Sequence, residues 1–270
     1  MNLTAEQLKE NFDRLLKYIE TYIQGERKDK LITFYKKYEE RMIFAPASAK
    51  EHYHCAFPGG YVVHVLNVVD ASLKLFELWT KFGANVSTFT IENLVFCALN
   101  HDLGKIGDDV GEYYLPNDSD WHRVNQGKIY KFNPDIQYMN VSDRTIFMLQ
   151  ANGIQFSQFE YLGMYLADGL YEEKNKPYFV TYEKDFIIKT NLPYIIHHAD
   201  MVSLAKERDE WRAEVELKNP LEKIQGGNPQ TFPKKAKSDP QKRNNDLKAT
   251  FEKSATAMTA FDELFKKKEK

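Results

Sequence analysis

Apolar residues recur at helical spacing along most of the chain, and the interruptions between these stretches mark its elements. Thr4 with Gln7 has the pattern of a capping box, which predicts a helix opening there and running to about residue 22. A second helix is expected over 28–42. Residues 61–69 are apolar apart from His64 and Asn67. Residues 85–90 mix polar and β-branched side chains and read as a loop. Beyond it Ile91, Leu94, Val95 and Ala98 fall at i, i+3, i+4 and i+7, and His101 and Asp102 carry that stripe into the next turn. Gly104 is the expected C-terminal stop of this helix. Helices are expected again at 143–151 and 157–166. A further one, capped by Asn191 and opened by Pro193, puts Asp200 on one face with Ile196 and Leu204. The stretch 130–141 contains Pro134 and alternates too irregularly to assign. No internal repeat and no glycine-rich phosphate loop is present. The expected fold is all-α.

The pattern changes after Trp211. Residues 218–245 hold Pro220, Gly226, Gly227, Pro229, Pro233 and Pro240 among scattered lysines and asparagines, the composition of a linker. Helical spacing returns over 245–265, where Phe251, Ala255, Met258, Phe261, Leu264 and Phe265 share one face. The expected organisation is an N-terminal helical arm at 1–48, a core at 49–215, a linker at 216–245 and an amphipathic helix or peptide at 246–270, the last two forming a mobile tail.

Composition narrows the class without naming a partner. The 270 residues suffice for one good-sized core, and a formal net charge of −2 announces neither nucleic acid nor membrane. Cys55 and Cys97 are the only cysteines, so no disulfide framework is implied, and Cys55 has no catalytic-cysteine context. There is no apolar N-terminal signal region, and no apolar run approaches the roughly 20 residues that span a bilayer. A cytoplasmic protein is expected.

The candidate chemistry is polar residues on apolar helices. His64, the adjacent pair His101 and Asp102, and Asp200 form an H…HD…D series on three stretches that otherwise read as buried. One buried histidine is ordinarily a hydrogen-bonded core residue. Four imidazole and carboxylate groups directed inward from three helices instead need a compensating partner, and one divalent cation supplies it. Mixed His and carboxylate ligation admits Mn2+, Fe2+, Co2+, Ni2+ or Zn2+.

These residues resemble the HD-domain metal-dependent phosphohydrolases. The segment His54-Cys55-Ala56-Phe57-Pro58-Gly59-Gly60-Tyr61-Val62-Val63-His64 is similar to the "HHAFPGGLLEH" opening of one HD branch, which includes bacterial 3′–5′ exoribonucleases and relaxase-associated HD domains. His101-Asp102-Leu103-Gly104-Lys105 matches the "HDLGK" signature, and His197-His198-Ala199-Asp200 resembles the closing "H-x-A-D" helix. Roughly 50–212 also resembles uncharacterised HD proteins of large tailed phages, which would place the protein in the host cytoplasm. The resemblance implies an all-α HD bundle with His64, His101, Asp102 and Asp200 as metal ligands. Asp102 and Lys105 are implied as catalytic residues, Asp102 orienting a metal-activated water and Lys105, helped by a nearby Arg, meeting the substrate phosphate.

The chain departs from the family's binuclear members. Where these carry a His-His-Gly element, it reads Tyr165-Leu166-Ala167-Asp168-Gly169, so a full second metal site is doubtful. Asp168 is a ligand for a harder ion such as Mg2+ or Mn2+, a residue that helps bind the first metal through water, or an ordinary turn residue before Gly169. His122 is either an accessory histidine or a solvent-facing loop residue. The loop around it, with Trp121, Arg123 and Lys128, offers either an aromatic and cationic wall for a nucleotide or merely core edges. His197 is a further candidate beside the site, and 171–178 is a second loop able to close over it.

The expected activity is hydrolysis of a phosphate ester or anhydride of a small nucleotide. The alternatives are a 3′–5′ exonuclease on single-stranded nucleic acid, or a non-catalytic metal-binding replisome adaptor. Phe261, Leu264 and Phe265 lie in a segment similar to the "LDFLF"-type peptides with which tailed-phage proteins grip the sliding clamp. The same apolar face could equally dock on its own domain or on a second protomer, and the oligomeric state is not legible.

Overall fold

The structure is a computed structural model that describes residues 3–218 and single positions between 245 and 259. The expected linker, and Phe261, Leu264 and Phe265 of the clamp-like segment, lie outside the described residues. The fold is all-α: about 65% of the chain is helical, with one two-stranded sheet.

The chain opens with α1 (Ala5–Tyr22), whose Thr4–Gln7 capping box forms as expected. Leu8, Phe12, Leu15 and Ile19 line its buried face and join Tyr61, Val65, Leu94 and Leu99 in one continuous core. The single helix expected over 28–42 is two, α2 (Gly25–Lys37) and α3 (Glu39–Phe44), broken at Tyr38. Tyr38 leaves helical geometry at φ −107° and ψ 18°. Its ring packs on Phe34 with centroids 5.0 Å apart, and its hydroxyl donates to Asp109 at 2.5 Å.

Three helices make the centre: α4 (Gly60–Lys81), α5 (Ile91–Asn100) and α10 (Leu192–Lys218). In α5 every residue from Leu94 to Asn100 is buried, so this helix is covered on all sides rather than along one stripe. It lies against α4 and α10, and α10 runs along α4. Gly60 opens α4 where no side chain fits, since a Cβ there would come 1.9 Å from the Cys55 carbonyl oxygen. That close approach ties the 54–60 segment to the helix carrying His64.

Gly104 is not the left-handed stop that was expected. Residues Leu103–Ile106 continue as a 3₁₀ turn, and the positive-φ glycine is Gly107. Gly104 serves close packing instead, its absent Cβ falling 2.2 Å from the Val141 carbonyl oxygen. The stretch expected to be a loop around His122 contains α6 (Asp120–Gln126), capped by the Ser119 side chain. It lies between β1 (Tyr114–Pro116) and β2 (Tyr130–Phe132), antiparallel strands with Leu115 opposite Lys131. So short a ribbon leaves too little alternation to recognise, which is why 130–141 could not be assigned.

The last part adds α7 (Val141–Ala151), α8 (Gln158–Tyr165) with a Ser157–Glu160 capping box, and the short α9 (Lys176–Phe179) among 3₁₀ turns. Asn191 sits before α10 with its carbonyl accepting from Ile195, but its side chain does not cap. The amide donates instead to the Asn85 carbonyl at 2.8 Å, tying the two loops together. None of the described helices is long and apolar enough to cross a membrane.

Candidate metal centre

The four expected ligands come from the three central elements and converge. His64 projects from the second turn of α4, His101 and Asp102 end α5, and Asp200 lies in the third turn of α10. All four are buried. His64 Nε2 lies 3.3 Å from His101 Nε2, 3.4 Å from Asp102 Oδ2 and 3.1 Å from Asp200 Oδ1. His101 Nε2 lies 3.6 Å from the same Asp102 oxygen and 3.9 Å from the Asp200 oxygen.

These separations have a direct metal reading. Ligand bonds of about 2.0–2.2 Å in tetrahedral geometry place donor atoms about 3.4 Å from one another. The tautomers agree with it. His101 Nδ1 faces the Ala98 carbonyl at 2.9 Å, and His64 Nδ1 faces both oxygens of Glu207 at 3.2 and 3.1 Å. Carbonyl and carboxylate oxygens only accept, so both Nδ1 atoms carry a proton, and in the neutral rings both Nε2 atoms present lone pairs. Two imidazole lone pairs thus face each other with two carboxylate oxygens beside them. That arrangement is repulsive unless a cation or a proton sits among them, so the donor set fits a divalent metal.

The surrounding electrostatics show the same deficit of positive charge. Burial works against a charged His64, yet the Glu207 charge and the hydrogen bonds to Asp102, Asp200 and Glu207 outweigh it and raise its pKa well above the ordinary value. Burial pushes Asp102 up, but the charges of Lys105 and His101 and the contact with His64 hold it well below the usual carboxylate range. His101, with burial dominant, is lowered. Asp168 is raised to about 6, first by burial and then by the Asp102 charge.

Lys105 Nζ lies 2.6 Å from Asp102 Oδ2. Burial opposes its charge, but Asp102 overcomes it and its pKa is raised, so Lys105 stays cationic. This lysine, expected to meet a phosphate, is also the charge partner of Asp102, one of the expected ligands. Asp168 lies close enough to interact with Asp102, Lys105 and Asp200, and it begins the Gly169–Tyr171 turn. His197, one turn before Asp200, is anchored by its Nδ1 to the Ala167 carbonyl at 2.8 Å.

The other candidates are held in their own surroundings. His122 Nδ1 bonds the Ser119 hydroxyl at 2.7 Å, and Arg123 reaches the Asn117 carbonyl and Asp120. Lys128 is half-buried, its backbone bridged to Lys50. Trp121 is 59% exposed, with its ring edge-on to His122. The fully buried Arg144 pairs with Asp108 and the Gln137 carbonyl.

Two residues at the centre escaped the sequence reading. Glu207 is buried behind His64, and His54 lies against it with ring centroids 4.8 Å apart. His54, His64 and Glu207 form a second group of side chains close enough together to hold a cation. Burial, with Lys105 and His64 adding to it, takes the His54 pKa down to about 2. The signal for Glu207 was available: it stands seven residues after Asp200, two turns along one helix face. His54 was visible only as part of a motif.

Comparisons with protein-family models, with curated proteins and with solved structures find no match for this chain.

Proposed function

We propose that the protein is an HD-type metal-dependent phosphohydrolase, cleaving a phosphate ester or anhydride of a small nucleotide. The observation that carries this reading is the convergence of His64, His101, Asp102 and Asp200 at ligand spacing, with both Nε2 atoms turned inward. A divalent cation held by these groups would polarise a phosphoryl oxygen and lower the pKa of a water.

The chain's own residues supply the rest. Asp102 makes its contacts to His64, His101 and Lys105 through Oδ2. Oδ1 remains to accept a hydrogen bond from the attacking water and orient it. Lys105, cationic and only 13% exposed, stabilises negative charge as it develops on the phosphoryl group. In so dry a setting a fixed charge acts more strongly than in water.

The test is a phosphate-release screen with purified protein over nucleoside mono- and triphosphates, cyclic nucleotides and short single-stranded oligonucleotides. Each is offered with Mn2+, Co2+ or Mg2+, beside Asp102→Ala. Metal-dependent turnover of one nucleotide class, absent from the variant, is the expected result. Release confined to oligonucleotide ends would replace the reading with the exonuclease. Silence across the panel with metal bound would leave a binding protein.

A further inference from the structure

The two inward histidines are held by different means. His101 Nδ1 is fixed by the Ala98 carbonyl, three residues back on its own helix. His64 Nδ1 is fixed by a side chain from another helix, with Glu207 Oε1 at 3.2 Å and Oε2 at 3.1 Å. We infer that Glu207 is a positioning residue: it holds His64 as the Nδ1–H tautomer, so that Nε2 is presented as a lone pair to the metal.

Glu207 is itself held. It is 3% exposed, where a carboxylate is costly without donors around it. Asn67 Nδ2 donates to Oε1 at 2.8 Å, and Lys206 Nζ in turn donates to Asn67 Oδ1 at 3.1 Å. The Cys55 thiol, in the segment leading into α4, lies close enough to Glu207 that burial and this carboxylate both push its pKa up. A chain of hydrogen bonds therefore runs from an exposed lysine through Asn67 and Glu207 to His64. Each link limits how far the next can turn, so the imidazole has one orientation.

The helix register explains why this residue is available. Asp200 and Glu207 are seven residues apart on α10, about 10.5 Å along its axis. One face of a single rigid helix supplies both a ligand and the group that aims another ligand across from α4. A carboxylate behind a ligating imidazole also makes it a stronger donor, and loss of such a partner typically weakens metal affinity about 10–100-fold. In water a free imidazole is not confined to the Nδ1–H form; here the acceptor-only carboxylate imposes it.

This inference rests on the metal reading, and its test separates the two. Mn2+ affinity would be measured by titration calorimetry on the full chain for wild type, Glu207→Ala, Glu207→Gln and Asn67→Ala. The His64 tautomer would be read from long-range nitrogen–proton NMR correlations of the metal-free proteins at alkaline pH. Glu207→Ala is expected to bind Mn2+ about 10–100-fold more weakly and to lose the Nδ1–H preference at His64. His101, held by backbone, should keep its tautomer as an internal control. Glu207→Gln is expected to retain the tautomer, because its carbonyl still accepts the proton, and to recover part of the affinity. If Glu207→Ala does not fold, Glu207→Gln with Asn67→Ala carries the test, both falling between wild type and a ligand deletion. Wild-type affinity in Glu207→Ala, or an unchanged His64 tautomer, would overturn the role of Glu207. Absence of Mn2+ binding by wild type, with the tautomer set by Glu207, would overturn the metal reading alone.

Discussion

The two ends of α5 both bury charge, and they resolve it differently. At the N-terminal end, Arg27 from α2 pairs with Glu92 on α5 and, at 2.7 Å, with Glu160 on α8. Asn93 donates to the same Glu160 oxygen at 2.9 Å, and the Ser157 backbone amide donates to the other at 2.7 Å. The guanidinium covers the Phe96 ring 4.6 Å from its centroid. Protein groups alone close this cluster. At the C-terminal end Asp102, Asp200 and Glu207 gather around two imidazoles, with the Lys105 ammonium against Asp102. The Nε2 atoms of His64 and His101 face each other at 3.3 Å beside the Asp102 and Asp200 carboxylates. The first cluster joins three helices; the second is a group of side chains that could hold a metal ion.

The largest expected effect falls on the second cluster. Asp102→Ala should abolish both metal retention, read by elemental analysis after dialysis, and turnover. Metal still bound at wild-type stoichiometry would show that the imidazoles and Asp200 suffice and would remove Asp102 from the ligand set. At the opposite end, Arg27→Ala leaves Glu160 buried without its charge partner and should cost about 3 kcal/mol in chemical denaturation. That is the low end for a broken buried pair, because the Arg27 side chain keeps 20% of its exposure. Its metal affinity should be unchanged. A variant that lost both stability and metal would mean that the two ends of α5 are not independent.

Lys105 tests the boundary between holding and catalysis. Lys105→Ala should retain metal and lose turnover by about 100-fold, the scale of removing one preorganised charge from a transition state. Because Lys105 also pairs with Asp102 at 2.6 Å, metal loss in this variant would assign the lysine to fixing a ligand rather than to the phosphate.

Asp168 gives a smaller effect with a definite sign. Its folded pKa of about 6 lies above the ordinary 3.8, so the folded protein binds more protons than the unfolded chain between those values. Stability of the metal-free protein should therefore fall as pH rises from about 4 to 6, by roughly 2 kcal/mol once partial exposure is allowed for. Asp168→Asn should flatten that slope in denaturation measured across the range. A bound cation nearby should flatten it as well by favouring the carboxylate, whereas nothing comparable is expected from Arg27→Ala.

How much of this was written in the sequence depends on the range of the interaction. The four convergent residues were legible because His64, His101 and Asp102 interrupt strongly apolar stretches and Asp200 shares a helix face with Ile196 and Leu204. The capping boxes at Thr4 and Ser157 were equally plain in their spacing, though only the first was drawn from the sequence. The break at Tyr38 was not legible, since it depends on a hydroxyl reaching Asp109, far along the chain. Gly104 misled because glycine at a helix end suggests a left-handed stop, while its use here is contact with Val141. Glu207 was missed for a related reason: its neighbours in sequence are charged, and only the second-turn register reveals that it faces inward.

Trp121 is the smallest prediction and bears on the nucleotide wall. The sequence placed it in a loop with cations; the structure puts it in α6 with 59% of its surface exposed. Its ring meets His122 edge-on, and His122 is itself bonded to Ser119. An exposed side chain outside both clusters should shift stability by no more than about 0.5 kcal/mol when cut to alanine, and leave Mn2+ affinity unchanged. Turnover should change little too. A base stacked on the indole would instead contribute about 1–3 kcal/mol, which would raise KM for the preferred substrate by about fivefold or more with kcat preserved. A steady-state comparison of wild type and Trp121→Ala therefore separates the outcomes. A rise in KM alone would extend the site from the centre at α4, α5 and α10 out to α6.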